Sequence, residues 1–229
     1  AEAGAQLATT LDETTGDSDH YAEGEATDDY VNDDNGYLAR TTSTVEGGLT
    51  ALFSASGSYG ADGAGSVTES LAFSGVPEDG LATSLIATDG GAITLFSNDD
   101  GTVLTGLDGD GHTVLTIALV TVDDVPQLQT TLYEALDNGD DDTFDEAVRL
   151  LLTQGGSLEL DYSVTRTDGD GDSITVDDSL VLADSQSSVF SFDDDGPTQS
   201  VTADAEAGAQ LATTLDETTG DSDHYAEGE

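Results

Sequence analysis

Alternation between apolar and polar positions is the strongest pattern in this chain. Leu158, Leu160, Tyr162 and Val164 fall on one side and Glu159, Asp161, Ser163 and Thr165 on the other, the period-two signature of a half-buried strand. Shorter stretches of the same kind lie at 67–73, 92–96, 102–105, 113–122, 173–182 and 188–192, separated by Gly, Asp, Asn and Ser clusters that read as turns. The segment 113–122, with Val114, Leu115, Ile117, Leu119, Val120 and Val122, reads as the most buried of them. Many short strands at close spacing predict an all-β chain, folded as an antiparallel β-sandwich. Two segments depart from the pattern. Thr143 and Glu146 match a capping box, and Ala147, Val148, Leu151 and Leu152 supply a helical face ended by Gly155-Gly156, which predicts a short helix over 143–153. Within 126–136, Pro126, Leu128, Leu132 and Leu136 allow a helix, whereas Thr130, Thr131, Leu132 and Tyr133 suit a strand.

An internal repeat sets the organisation. Residues 1–25, AEAGAQLATTLDETTGDSDHYAEGE, recur letter for letter at 205–229, a period of 204 residues. Most solenoid repeats are about 20 to 50 residues long, so a period of this size is that of a domain. The chain therefore reads as one full tandem-repeat domain over 1–204, with 193–204 as interdomain linker, followed by the start of the next identical copy. It is expected to be a piece of a longer string of such domains. Only one copy of the 25-residue segment can fill a given place in one domain. The first copy is expected to pack into the body; packing of 205–229 in its stead is the alternative.

Charge narrows the function classes. There are 49 Asp and Glu residues against Arg40, Arg149 and Arg166, no Lys, and a net charge of −46. One 204-residue period, which excludes the seven acids of the second copy, carries −39. No basic stripe is available for nucleic acid or for an anionic membrane surface, so neither is an expected partner. Leu, Ile, Val and Phe make up about 22% of the chain, close to the roughly 20% below which a highly charged chain stays unfolded. A core this lean has to be held together against self-repulsion, by high salt or by bound cations. Absence of Cys excludes disulfides, thiolate chemistry and Cys-based zinc sites. His20 and His112, with His224 repeating His20, have no partners at catalytic spacing. Paired carboxylates carry no information where acids are everywhere, and no enzyme is expected.

Asp outnumbers Glu by 35 to 14, which leans toward cations, because Asp is the short, turn-favouring acid that lines oxygen-ligand loops. Asp168, Asp170 and Asp172 alternate with Gly169 and Gly171 between two expected strands. Asp108-Gly109-Asp110-Gly111 has the same character, and Asp193, Asp194 and Asp195 precede Gly196-Pro197. Glycine allows tight curvature, and several carboxylates can then converge at about 2.3–2.6 Å on Ca²⁺. These runs match neither an EF-hand, since Ser173 and Ser179 stand at its sixth and twelfth places counted from Asp168, nor a GGxGxD nonapeptide. Each run alone also suits a solvated turn. Loop 137–142 fits a cation site and equally a flexible loop whose acids favour the start of the expected helix.

The stretches Leu11-Asp12-Glu13-Thr14, Tyr59-Gly60-Ala61-Asp62-Gly63-Ala64-Gly65-Ser66, 158–167 running into Asp168-Gly169-Asp170-Gly171-Asp172-Ser173, and Phe192-Asp193-Asp194-Asp195-Gly196-Pro197 together resemble the long tandem repeats of giant RTX adhesins. Those are bacterial surface proteins exported by type I secretion. The resemblance covers most of 11–198, the segment 143–153 excepted. It implies an immunoglobulin-like β-sandwich extender domain, enlarged to about twice the ordinary module. Ca²⁺ would rigidify the array, so that distal ligand-binding modules are projected from the cell for adhesion and biofilm formation. By the same resemblance Asp168, Asp170 and Asp172 would be intradomain ligands; Asp108 and Asp110 are further candidates from their own alternation with glycine. Asp193, Asp194 and Asp195 would sit at the junction facing Asp216 and Glu217 of the next copy, as Asp12 and Glu13 would face the previous one. The expected partners are neighbouring identical repeats in the same chain, and the isolated repeat is expected to be a monomer. Two other readings stay open: a halophilic secreted or surface-layer protein whose acids serve solubility, and a Ca²⁺-dependent module that itself binds a glycan or a protein.

Overall fold

The computed structural model describes Leu7 and residues 9–12, 36–137, 147–193 and 201–202. The chain divides into two compact units, Ala1–Gly196 and Pro197–Glu229. Of the second, only Val201 and Thr202 are described, and both are exposed. The first holds β1 (Thr9–Asp12), β2 (Ala39–Thr42), a 3-10 turn (Leu49–Leu52), β3 (Ala64–Ser74), β4 (Leu81–Ala87), β5 (Gly91–Ser97), β6 (Val103–Leu107), β7 (Thr113–Val122), β8 (Val125–Leu132), β9 (Ala147–Arg149), β10 (Leu158–Asp168), β11 (Ser173–Ala183) and β12 (Phe190–Asp193). These form a six-stranded sheet in the order β2-β8-β7-β6-β5-β4 and two three-stranded sheets, β11-β10-β3 and β1-β12-β9. The fold is all-β and sandwich-like, and no α-helix occurs among the described residues.

One apolar core draws on all three sheets. Leu11 of β1 meets Phe190 and Phe192 of β12; Leu85, Ile93, Leu95, Leu104, Leu115, Ile117 and Leu128 come from the large sheet; Leu158, Leu160 and Leu182 come from β10 and β11. Period-two alternation places them. Along β4, Leu81, Thr83, Leu85 and Ala87 are buried while Ser84 and Ile86 are exposed, as expected of a sheet with one wet face. Between β7 and β8 the chain reverses through Asp123 and Asp124, with φ of 49° and 66°. Val122 pairs with Val125 on either side, so this is a two-residue hairpin with both central residues left-handed, a conformation that short acids tolerate.

The strands expected around 67–73, 92–96, 102–105, 113–122, 158–165, 173–182 and 188–192 are present as β3, β5, β6, β7, β10, β11 and β12. The undecided segment is a strand: β8 pairs with β7 along its whole length and with β2 only from Gln129 onward. Pro126 thus sits where no β2 neighbour needs its missing N–H. The helix expected at 143–153 is corrected. Ala147–Arg149 is β9, antiparallel to β12, while 143–146 lie outside the described residues. Leu150 and Leu152 are buried and Leu151 is half-buried, an extended alternation in which the Leu150 N–H donates to the Phe190 carbonyl and the Leu152 N–H to the Asp184 carbonyl. Two further expectations change. β1 runs parallel to β12, so the sheets are not wholly antiparallel. In β7, Val114, Leu115 and Ile117 are buried, but Leu119 and Val120 are half-buried and Val122 is exposed.

β3, β10 and β11 outrun the core. Residues 64–70 and 173–179 are exposed, so the far half of this sheet stands out as a three-stranded arm. In-register pairing puts Thr68, Thr165 and Thr175 on one face, with Thr165 and Thr175 hydroxyls 2.8 Å apart, and Val67, Arg166 and Ile174 on the other.

Core and surface should separate sharply in stability. Leu115→Ala is expected to cost about 2–5 kcal/mol through the cavity it leaves, whereas Val122→Ala should stay within about 0.5 kcal/mol. Urea unfolding of the two variants checks this.

Candidate metal centre

The tip of the arm gathers acids from two distant parts of the sequence. β10 ends at Asp168, and residues 169–172 turn the chain into β11. Asp168 locks that turn. Its N–H donates to the Asp172 carbonyl at 2.9 Å, and its Oδ1 accepts the N–H groups of Gly171 and Asp172 at 3.2 and 3.0 Å. The loop entering β3 lies against the same turn, with the Gly169 N–H donating to the Gly63 carbonyl at 3.1 Å. A Cβ at position 169 would stand 2.3 Å from the Asp62 carbonyl oxygen. Glycine there is what allows the two loops to touch.

Asp62, Asp168 and Asp170 are brought together as a result, one carboxylate oxygen of each lying within 4.8 Å of the other two. Oxygens on opposite sides of one Ca²⁺ are about 4.6–5.2 Å apart, so the spread matches the inner sphere of a hard cation. Asp168 is half-buried; Asp62 and Asp170 are exposed. The Asp170 carboxyl, hydrogen-bonded to Asp168, holds the Asp168 pKa below its ordinary value; the N–H groups of Asp172, Gly171 and Asp170 add to this and outweigh partial burial. Asp168 is therefore an anion throughout the neutral range, as a metal ligand must be.

The expected sites fare differently. Asp168 and Asp170 converge, but Asp172 is engaged through its backbone in the turn and is not part of the triad. Asp62 takes its place. It lies 106 residues before Asp168 in sequence, and no local spacing links the two; the signal is the β3–β10 register, which pairs Asp168 with Ala64.

Asp108 is occupied by its own hairpin. Its side chain is fully buried, Oδ1 accepts the N–H groups of Asp110 and His112 at 2.9 and 2.8 Å, and the His112 Nδ1–H donates to Oδ2 at 3.1 Å. Gly90 makes room for it, since a Cβ there would lie 2.2 Å from Asp108 Oδ2. Burial raises the Asp108 pKa, but the His112 N–H, the His112 ring and the Asp110 N–H together hold it below the ordinary value. Asp110 is exposed and contributes to this turn through its N–H.

Asp193, half-buried on β12, is the register partner of Asp12 on β1, so these two stand side by side within one sheet. That differs from the expected seam, in which each faced a neighbouring repeat. Glu13, Asp194, Asp195, Asp216, Glu217 and the loop from 138 to 142 lie outside the described residues.

Residues 8–180 match the profile of a family described as a domain of unknown function, DUF5801, and the chain belongs to that family. No curated protein and no solved structure matches it.

Two outcomes are expected from this geometry. Gly169→Ala should push the Asp62 loop off the turn, seen as faster amide exchange at residue 169 with β7 and β8 unchanged. Asp108→Asn keeps the shape and removes the charge. Because the folded pKa lies below the ordinary 3.8, ionised Asp108 stabilises the fold above about pH 4, and this is lost as pH falls through the folded value. The difference in urea midpoint between parent and variant should therefore be full at pH 6 and shrink as the pH falls below the ordinary carboxylate value.

Proposed function

We propose that this chain is a non-enzymatic extender domain of a secreted bacterial surface adhesin of the RTX kind, folded and stiffened by Ca²⁺. The observation that carries the reading is the convergence of Asp62, Asp168 and Asp170 at the tip of the arm, built from loops 106 residues apart and held by the close approach at Gly169. The letter-for-letter recurrence of 1–25 at 205–229 supports a spacing role, since tandem copies of one domain add length. The sandwich-like fold agrees with the architecture that the resemblance implies.

Asp62, Asp168 and Asp170 would hold the ion, which would supply positive charge where three carboxylates otherwise repel. Carbonyl oxygens and water would complete a shell of six to eight oxygens. Because an unfolded chain holds no preformed site, binding free energy appears as folding free energy. The Asp108 hairpin needs no ion in this scheme, as its buried carboxylate is already served by protein donors.

Thermal melts with Ca²⁺, with chelator and with NaCl at matched ionic strength test the proposal. Ca²⁺ at about 100 times its Kd should stabilise the domain by about 2.7 kcal/mol, and Asp62→Asn and Asp170→Asn should each remove most of that increment. Equal stabilisation by NaCl would favour the halophilic reading and defeat this one.

A further inference from the structure

The arm face opposite the threonines is partly roofed. Along β10, Tyr162, Val164 and Arg166 fall on that face, and their register partners on β11 are Asp178, Val176 and Ile174. The segment from Phe53 to Tyr59 runs over them. Phe53 stacks on Tyr162 with ring centroids 4.9 Å apart, and the Arg166 guanidinium carbon stands 4.9 Å from the centroid of the Tyr59 ring. Between this segment and the sheet lies an open groove of about 430 Å³, within the range of about 300–1,000 Å³ that small-ligand sites occupy. Ser54, Ser56 and Ser58 line its wall, and Val164, Ile174 and Val176 line its floor.

Arg166 is the odd group in this groove. It is half-buried, and among the described residues no carboxylate forms an ion pair with it, in a chain of 49 acids. Gly57 lets it lie close against the roof, since a Cβ there would stand 2.9 Å from Arg166 Nε. Asp168 and Asp172 line a smaller recess of about 180 Å³ on the same arginine, but Asp168 Oδ1 is taken by its own turn. The Tyr59 ring attracts the cation without accepting its N–H groups in the plane of the fork. Those donors match the two oxygens of a carboxylate.

We propose that this groove binds a carboxylate-bearing sugar, a uronic or sialic acid residue, with its carboxylate on Arg166. The C–H face of a sugar ring suits the apolar floor and Phe53, and its hydroxyls find an acceptor in Asp178 and hydroxyl partners in the three serines. An acidic peptide also brings a carboxylate, but each further charge on it is repelled by the surrounding acids. A single carboxylate on a polyol gives the one cation its counterpart with the least repulsion. The inference goes beyond the spacing role and requires no cation at the arm tip.

The test titrates the full 229-residue chain, with amide shifts as the readout, using the methyl glycoside of glucuronic acid and sialyllactose. Methyl glucoside and lactose are their uncharged counterparts, and tetra-aspartate is the peptide. At least one acidic sugar should shift the amides of Gly57, Arg166 and Ile174 and bind about tenfold or more tighter than its uncharged counterpart, the worth of a charge-assisted fork; which of the two does so tells uronate from sialate. Arg166→Gln should erase that preference for the acid, whereas Arg149→Gln, on β9 outside the groove, should leave it intact. The proposal is overturned if neither acidic sugar shifts these amides, if the uncharged counterparts bind as well, or if tetra-aspartate binds as tightly as the better sugar. The comparison of acid with uncharged sugar is made on the parent chain, so it stands even where a variant fails to fold.

Discussion

A single lean core has to be kept closed against 46 uncompensated negative charges, and the rest of the structure answers to that constraint. Hydrophobic burial is worth roughly 25 cal/mol per Å² of apolar surface, so a chain with few large apolar residues gains most by gathering the ones it buries in one place. It does so by collecting them from three sheets. Leu11, Phe190 and Phe192 close the core from a short mixed sheet, with Leu7 just ahead of it, while the six-stranded sheet supplies half of its buried Leu and Ile residues. The charged side chains are sent to turns and to the outer faces, where water screens them.

Much of the fold was legible because period-two alternation is a local signal. β7 and β10 show it plainly, and their positions follow from the order of residues alone. Other elements depended on partners far away. β9 carries a local helix signature, yet Val148 finds its ladder on Phe192, 44 residues on, and that pairing decides the conformation. β8 was ambiguous because Leu128, Leu132 and Leu136 keep a helical spacing while Thr130, Thr131 and Tyr133 suit a strand, and its pairing with β7 and β2 decides between them. The candidate metal centre was half legible. Asp168 and Asp170 announce themselves by alternation with glycine, whereas Asp62 joins them through a β3–β10 register that no spacing reveals.

Among the described residues, two features favour Asp over Glu in this fold. One is the cluster at the arm tip. The other is turn closure: Asp108, Asp168 and Asp184 each accept backbone N–H groups one turn ahead, as Asn98 does for Thr102 and Val103. A longer Glu side chain cannot reach its own turn in this way. Hydrogen bonds of this kind hold Asp108 and Asp184 below their ordinary pKa values; in Asp184 the leading causes are the N–H groups of Gln186 and Ser187. A run of acids in such a sequence therefore marks a tight reversal first. Convergence with an acid from a second loop sets the arm tip apart from the other reversals.

β11 forms the open border of the arm, and its outward row of backbone groups faces water. Ile174 and Val176 on it are 63% and 62% exposed, a composition that invites another strand to add on. Lysine, the usual guard on such borders, is absent from this chain. Asp177 and Asp178 fill that office, with Asp172 close before them, so that copies approaching edge to edge bring like charges together. Acidity thus also acts as a colloidal safeguard, keeping open sheet borders from fusing with one another.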